Sequence, residues 1–416
     1  MPTWIKIGVR NLFKNKRRSL FTIGAIALGF AAVNLFGGFT AYVFKGLEDS
    51  FVYAMGNGHL AVFKQGFLKE GLIHPTRYLL SEQDLARLRE LCAQDPRIDR
   101  VTPQLNISGL LSNGKVSTIM IAEGRVAEDV RYIRDKGRGF VGKIKLFDGD
   151  ELDDGKPSRV GVSKGLAEKL HLKRGSDAIV MATTVDGQMN AMDVSMVQDL
   201  DAAIEVLDNM LMSVPLSFAQ QLYDTKSVDR LTILLRDPRD TRAMRRELER
   251  RFREAGLAVE LRTWEELRVS YLKIRNMFNV MFSLLFIIVF VIVVLSVINT
   301  VSMAVMERTR EIGTLRSLGL KRRGIVTMFA TESALLGVAG SALGLALTAA
   351  GWLAVRLAQP TWIPPNIPKR VPLEVYLVPD YLLASLVFLV ALAVLAAVIP
   401  ARRAARLSII DALGHV

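Results

Sequence analysis

Four stretches of this chain run for about 20 residues or more without a charge: Ser19–Phe44, Asn276–Met306, Ser333–Val355 and Tyr381–Ala401. As an α-helix rising 1.5 Å per residue, each is long enough to cross about 30 Å of hydrocarbon. Buried core helices seldom stay uncharged for so long, so all four are read as membrane spans. The first exceeds the apolar core of a signal peptide and is read as an uncleaved anchor. Between the first two spans lie 229 residues of ordinary mixed polarity, Lys45–Lys273.

Within that segment, local patterns predict an α+β domain. His59–Phe63, Ala178–Thr183, Leu231–Leu235 and Leu257–Leu261 read as strands. Asn106–Leu111 and Val116–Ala122, joined through Asn113-Gly114, read as a hairpin. Ser81-Glu82-Gln83-Asp84 resembles a capping box opening a helix to about Gln94. Further helices are expected near Lys164–Leu170, Leu216–Tyr223 and Thr241–Ala255, with a turn at Asp186-Gly187. Thr263 caps another helix, and no Pro or Gly interrupts the chain from there to Met306. This predicts one continuous helix of some 60 Å, a stalk reaching into the outer domain.

Charge then orients the spans. Lys6, Arg10, Lys14, Lys16, Arg17 and Arg18 precede the first. Arg308, Arg310, Arg316, Lys321, Arg322 and Arg323 lie between the second and third, and Arg402, Arg403 and Arg406 follow the fourth. By the positive-inside rule these segments and both termini are cytoplasmic. Lys45–Lys273 has 35 basic and 35 acidic residues, so the +13 net charge is a mark of topology and not of nucleic-acid binding. The pattern gives these regions: 1–18, a cytoplasmic amphipathic helix that lies in the interface or packs under the spans; 19–44, span one; 45–273, the outer domain; 274–306, span two with its stalk; 307–325, a cytoplasmic helix; 326–355, span three; 356–380, a short Pro-rich outer loop; 381–401, span four; 402–416, a cytoplasmic tail. The fold class is thus four transmembrane helices plus a large α+β extracytoplasmic domain inserted between helices one and two.

Catalytic patterns are missing. Gly109–Val116 approaches a phosphate loop, but Val116 stands where the metal-binding hydroxyl belongs. His59, His74, His171 and His415 lack metal-ligand spacing, and Glu151, Asp153 and Asp154 read as a solvated acidic turn. The lone Cys92 reads as a half-buried helix position. The expectation is a non-catalytic chain with no cofactor or metal of its own.

Polar and small residues inside the spans are more informative. Glu332 needs a cationic partner or a wet cavity. Asn34 and Asn299 are placed to hydrogen-bond between helices. Gly337, Gly340 and Gly344 favour close helix packing, either within one subunit or across a dimer. At Met306–Glu307 an apolar run meets a dense mixed-charge segment, Glu307–Arg323, in which Ile312, Leu315 and Leu318 form an apolar stripe flanked by arginines.

These features together resemble the MacB/LolC–LolE/FtsX type of ABC-transporter permease, the mechanotransmission class. The motifs are Asn299-Thr300, Glu307-Arg308-Thr309-Arg310-Glu311-Ile312-Gly313, Leu315-Arg316-Ser317-Leu318-Gly319, Glu332 with Gly337 and Gly340, and Pro400–Leu407 ending near Ala412-Leu413. Val214-Pro215-Leu216 with Ala219-Gln220 resembles the family's periplasmic core domain. The resemblance implies that Glu307, Arg308, Arg310, Glu311, Ile312, Gly313, Leu315, Arg316 and Gly319 form a coupling helix that docks on an ABC ATPase dimer. That partner would hold ATP and Mg²⁺. It implies a second permease copy or paralogue, a periplasmic substrate or adaptor, and a place in the bacterial inner membrane. The sequence resembles members whose ATPase is a separate chain. The expected role is release or movement of a lipoprotein or other amphiphile at the outer face. The alternative is an FtsX-like signalling subunit controlling a periplasmic cell-wall hydrolase.

Overall fold

A computed structural model describes residues 16–71, 73–137, 147–201, 205–363, 370–408 and 412. The chain forms two compact units. One is helical, comprising Met1–Val43, Ile274–Pro360 and Leu373–Val416; the other, Phe44–Lys273 with Thr361–Pro372, is α+β.

The α+β unit is built on a ten-stranded sheet: β1 (Leu60–Lys64), β2 (Ile98–Ser112), β3 (Ser117–Arg125), β4 (Phe147–Gly149), β5 (Arg159–Ser163), β6 (Asp177–Thr183), β7 (Met189–Leu200), β8 (Leu211–Pro215), β9 (Arg230–Leu235) and β10 (Val259–Thr263). The order is β10-β1-β9-β2-β3-β8-β5-β7-β4, with β6 paired to β2 and β7. β1 lies antiparallel between β10 and β9, with Leu60 opposite both Thr263 and Ile233. The chain therefore enters and leaves the sheet at one register.

Helices cover the sheet by their apolar stripes. Leu85, Leu88 and Cys92 are buried on Glu82–Ala93, and Met244, Leu248 and Phe252 on Thr241–Glu254, at spacings that place each set on one helical face. The Ser81 capping box forms through Asp84. The hairpin turns at Asn113-Gly114, where Gly114 takes φ +83° and the Asn113 side chain accepts from the Lys115 and Val116 amides. The near-phosphate loop is thus a tight β-turn. Cys92 is fully buried, and burial pushes its thiol up to about 12.

The expected unbroken helix from Thr263 to Met306 is not found. Thr263 does form a capping box with Glu266, but its helix ends at Leu267. Arg268 leaves helical geometry (φ −104°, ψ 88°), and a new helix runs Val269–Glu307. Tertiary contacts explain the break. The Arg268 guanidinium stacks 4.6 Å over the Phe51 ring, and Trp264 packs against Phe51 and Tyr271 with centroids 6.1 and 4.6 Å apart. Local propensity cannot register such contacts. Phe51 itself sits in a π-helical turn, Asp49–Ala54, that ends the first long helix.

Among the described residues, four helices are long and apolar enough to cross a membrane: Lys16–Glu48, with its π-helical extension to Ala54, Val269–Glu307, Arg322–Ala358 and Pro379–Arg406. They are called the first to fourth spans below. Small residues let them close up. A Cβ on Gly340 would lie 2.6 Å from Ile26 Cβ, and one on Gly344 would lie 2.6 Å from Phe30 Cβ. Gly337 faces Val390 and Ala393. The glycine row therefore packs within one chain, against the first and fourth spans. Thr22 of the first span hydrogen-bonds Thr300 of the second at 2.6 Å and accepts from Ser296 at 3.3 Å. Asn34 donates to Phe30 O and Ser385 Oγ, both at 2.8 Å. The amphipathic helix expected at the N-terminus lies outside the described residues up to Lys16, as do Pro364, Pro365, Pro368 and Leu413.

Candidate functional site

The second span closes at Glu307, and Arg308 (φ −114°, ψ 19°) turns the chain into a short helix, Thr309–Ser317. Thr309 Oγ1 donates to the carbonyls of Val305 and Met306, satisfying acceptors at the end of the span. Gly319 ends the short helix at φ +95°. Its amide donates to Arg316 O and that of Leu320 to Leu315 O, the paired bonds of a Schellman cap. The third span then begins at Arg322.

Polar contacts to the first, third and fourth spans tie this elbow in place. Glu307 accepts from Arg18, on the first span, at 3.0 Å. Arg308 Nη1 donates to Glu332 Oε2, in the third span, at 3.3 Å, with both side chains buried. This is the cationic partner that the intramembrane carboxylate required. Arg316 donates to the carbonyl of Leu407, just past the fourth span. Ile312 is 1 % exposed and packs in the cluster containing Ile325, Phe329, Ala401, Ala404 and Ala405.

The expected contact set therefore divides. Arg308, Ile312 and Gly313 are buried in the chain's own core. The three-residue apolar stripe reduces to two, because the helix turns Ile312 inward. Arg310, Glu311, Leu315 (38 % exposed) and Gly319 face outward, and Leu318 is 80 % exposed. Glu307 and Arg316 are partly engaged by Arg18 and Leu407. Sequence reasoning did not find Arg18 or Leu407 as partners; they are 289 and 91 residues away along the chain. Chemically, the outer face offers two leucines ringed by opposite charges. That suits docking in a protein groove. Among the described residues, no group of three or more His, Cys, Asp or Glu side chains is placed to hold a metal ion.

Comparison with known proteins finds two family models. Residues 19–251 match the MacB-like periplasmic core domain, and residues 283–409 match the FtsX-like permease C-terminal domain. The chain is 22 % identical to the uncharacterized ABC transporter permease YknZ of Bacillus subtilis (strain 168), covering 99 % of this chain and 98 % of that protein. It is 31 % identical over 118 residues to the macrolide export ATP-binding/permease protein MacB 1 of Yersinia pestis bv. Antiqua (strain Antiqua). That match takes in 28 % of this chain and spans only 16 % of the relative's length. Among solved structures, the periplasmic region of MacB from Actinobacillus actinomycetemcomitans aligns with a TM-score of 0.37 at 14 % identity, over 51 % of this chain and 92 % of that one. The extracellular domain of YknZ from Gram-positive bacteria aligns at 0.34 and 17 %, over 49 % and 100 %.

Proposed function

Since the chain belongs to the FtsX-like ABC-transporter permeases with a MacB-like periplasmic core domain, we propose that it is the permease subunit coupling a separate ATPase to its outer domain. The observation that carries this is the triple tether of the elbow. A force on the exposed face of Thr309–Ser317 passes through Arg18 to the first span, Glu332 to the third and Leu407 to the end of the fourth. An unbraced loop would absorb such a force; one fastened at three points passes it on.

In this reading the elbow and both termini are cytoplasmic, and the α+β unit lies outside the cytoplasmic membrane. The partner ATPase holds ATP and Mg²⁺, and closure of its two copies drives two permeases, copies or paralogues. The cargo is a lipoprotein or other amphiphile, moved or released at the outer face with or without an adaptor protein.

The test replaces exposed residues only. Arg310→Glu with Leu318→Asp should abolish co-purification of an ATPase with the full chain and return its ATP turnover to the unstimulated level, with the chain still inserted and folded. Intact association and turnover in that variant would refute the assignment of the docking face. Crosslinking from the α+β unit should trap an acylated or hydrophobic molecule; a trapped cell-wall hydrolase would move the assignment to signalling.

A further inference from the structure

We propose that Arg402 and Arg406, at the end of the fourth span, hold the phosphate of an anionic phospholipid, and that this lipid steadies the point where the elbow is fastened to that span. The inference rests on the permease reading above.

The fourth span has two clearly different faces. At 100° per residue, Phe388, Ile399, Arg402 and Arg406 fall within about 40° of Leu395. All five are exposed. Ala393, Ala397, Pro400 and Ala404 lie within about 40° of the opposite direction and are buried. Along the outer face the chemistry changes once. Phe388, Leu395 and Ile399 are apolar, with Leu395 66 % and Ile399 52 % exposed; Arg402 and Arg406 follow, with Arg403 at their flank. An apolar row running into a cationic end has the order of a phospholipid, acyl chain first and headgroup last.

Three other arginines at this end of the unit already have partners. Arg18 binds Glu307, Arg308 binds Glu332, and Arg316 donates to the carbonyl of Leu407. Among the described residues, Arg402, Arg403 and Arg406 have no side-chain hydrogen bond or ion pair. No acidic residue lies between Asp380 and Asp411 in the sequence. The positive-inside rule asks for cations on this side of the membrane, and the helix dipole favours them in the last turn, but neither selects a face. The face selected is the one turned away from the chain's own core. In the permease reading it meets the cytoplasmic leaflet.

Arg402 and Arg406 are four residues apart, about 6 Å along the axis. Two guanidinium groups at that spacing can donate to the oxygens of one phosphate. Their aliphatic stems extend along the apolar row while the charged heads stay among the headgroups. Three cations without a counter-charge favour a lipid of net negative charge over a zwitterionic one, whose own ammonium would be brought beside them. The lipid acts on the elbow through the next residue. Arg316 holds the carbonyl of Leu407, directly after Arg406. A headgroup clamped by Arg402 and Arg406 fixes that carbonyl relative to the membrane, so the elbow pulls on a held end.

The experiment places the full chain in nanodiscs of phosphatidylcholine with or without phosphatidylglycerol, spiked with a photoactivatable lipid of either kind. The phosphatidylglycerol probe should label Leu395–Leu407 about fivefold more than the phosphatidylcholine probe. Arg402→Gln with Arg406→Gln should abolish that preference, and Arg402→Lys with Arg406→Lys should keep about half of it. Arg322→Gln with Arg323→Gln removes the same charge at the start of the third span and should leave the preference within about twofold. Equal labelling by the two probes, or equal loss in both glutamine pairs, would overturn the site. So would release of the ATPase by Arg402→Gln with Arg406→Gln in detergent free of phosphatidylglycerol, which would make these arginines a protein contact. With the ATPase bound, phosphatidylglycerol should raise ATP turnover about three- to tenfold in the unaltered chain and less than about twofold in the Arg402→Gln, Arg406→Gln variant. An equal rise in both would overturn the steadying role. ATPase co-purification separates the two readings. Lipid preference without a bound ATPase upholds the site and refutes the permease role; a bound ATPase without lipid preference does the reverse.

Discussion

Arg308 and Glu332 face each other at 3.3 Å with side chains only 6 % and 11 % exposed, joining the elbow after the second span to the interior of the third. Removing one partner strands the other's charge in a site that excludes water. Glu332→Ala should therefore cost about 3–5 kcal/mol of stability. Arg308→Ala should cost a similar amount, and the double replacement less than the sum. Thermal unfolding of the detergent-solubilised chain in a double-mutant cycle would measure the coupling. A strictly additive cycle would show that the pair does not act as one.

The glycine row gives a steric prediction with an internal control. A Cβ at Gly340 or Gly344 meets the first span at 2.6 Å, whereas nothing lies within 4 Å of one at Gly24. Gly340→Val should destabilise the helical unit by about 1–3 kcal/mol or block its folding. Gly24→Ala should be neutral or stabilising by up to about 1 kcal/mol through helix propensity. Expression level and unfolding temperature of the two variants distinguish the sites.

Ile312, on the short helix, and Leu318, its C-cap residue, should behave oppositely. Ile312 is buried, so Ile312→Ala should cost about 2–5 kcal/mol through the lost contacts and the cavity. Leu318 is 80 % exposed, so Leu318→Ser should leave stability within about 0.5 kcal/mol. If the docking face is as proposed, Leu318→Ser should still reduce stimulated ATP turnover. Parallel unfolding and turnover measurements would separate the two roles.

The α+β unit should lose stability in mild acid. His59 is fully buried and its Nδ1 accepts from the Leu235 amide, so burial, helped by the nearby Lys45 charge, lowers its pKa from 6.5 to about 4. The unfolded chain takes up a proton at this position below about pH 6.5, and the folded chain does so only near pH 4. The stabilisation is thus complete above pH 6.5 and declines as pH falls towards 4, by at most about 1.4 kcal/mol per pH unit. Hydrogen exchange of the β1 and β9 amides should accelerate across that window, and His59→Gln should flatten the trend.

Some elements were open to local reading and others were not. The helix Leu216–Tyr223, the Ser81 cap and the Asn113-Gly114 hairpin follow from contacts a few residues apart. β7 was missed because Asn190 and Gln198 stand on the face that otherwise carries Met192, Val194, Met196 and Leu200, while its pairing with β5 and β6 compensates. The break at Arg268 was missed for a related reason: Phe51, which holds it, is more than 200 residues away.

The sequence by itself determined that four helices are apolar enough to span a membrane, that a neutral α+β segment separates the first two, and that a charged elbow follows the second. Those properties depend on hydropathy, charge and near-neighbour chemistry, all written in order along the chain. Only the tertiary structure decided that Gly340 and Gly344 close on Ile26 and Phe30 rather than a second copy, that Ile312 turns inward while Leu318 turns outward, and that Asn299 is left facing out. A helix carries several faces at once, and which of them its own chain covers is set by packing partners hundreds of residues away.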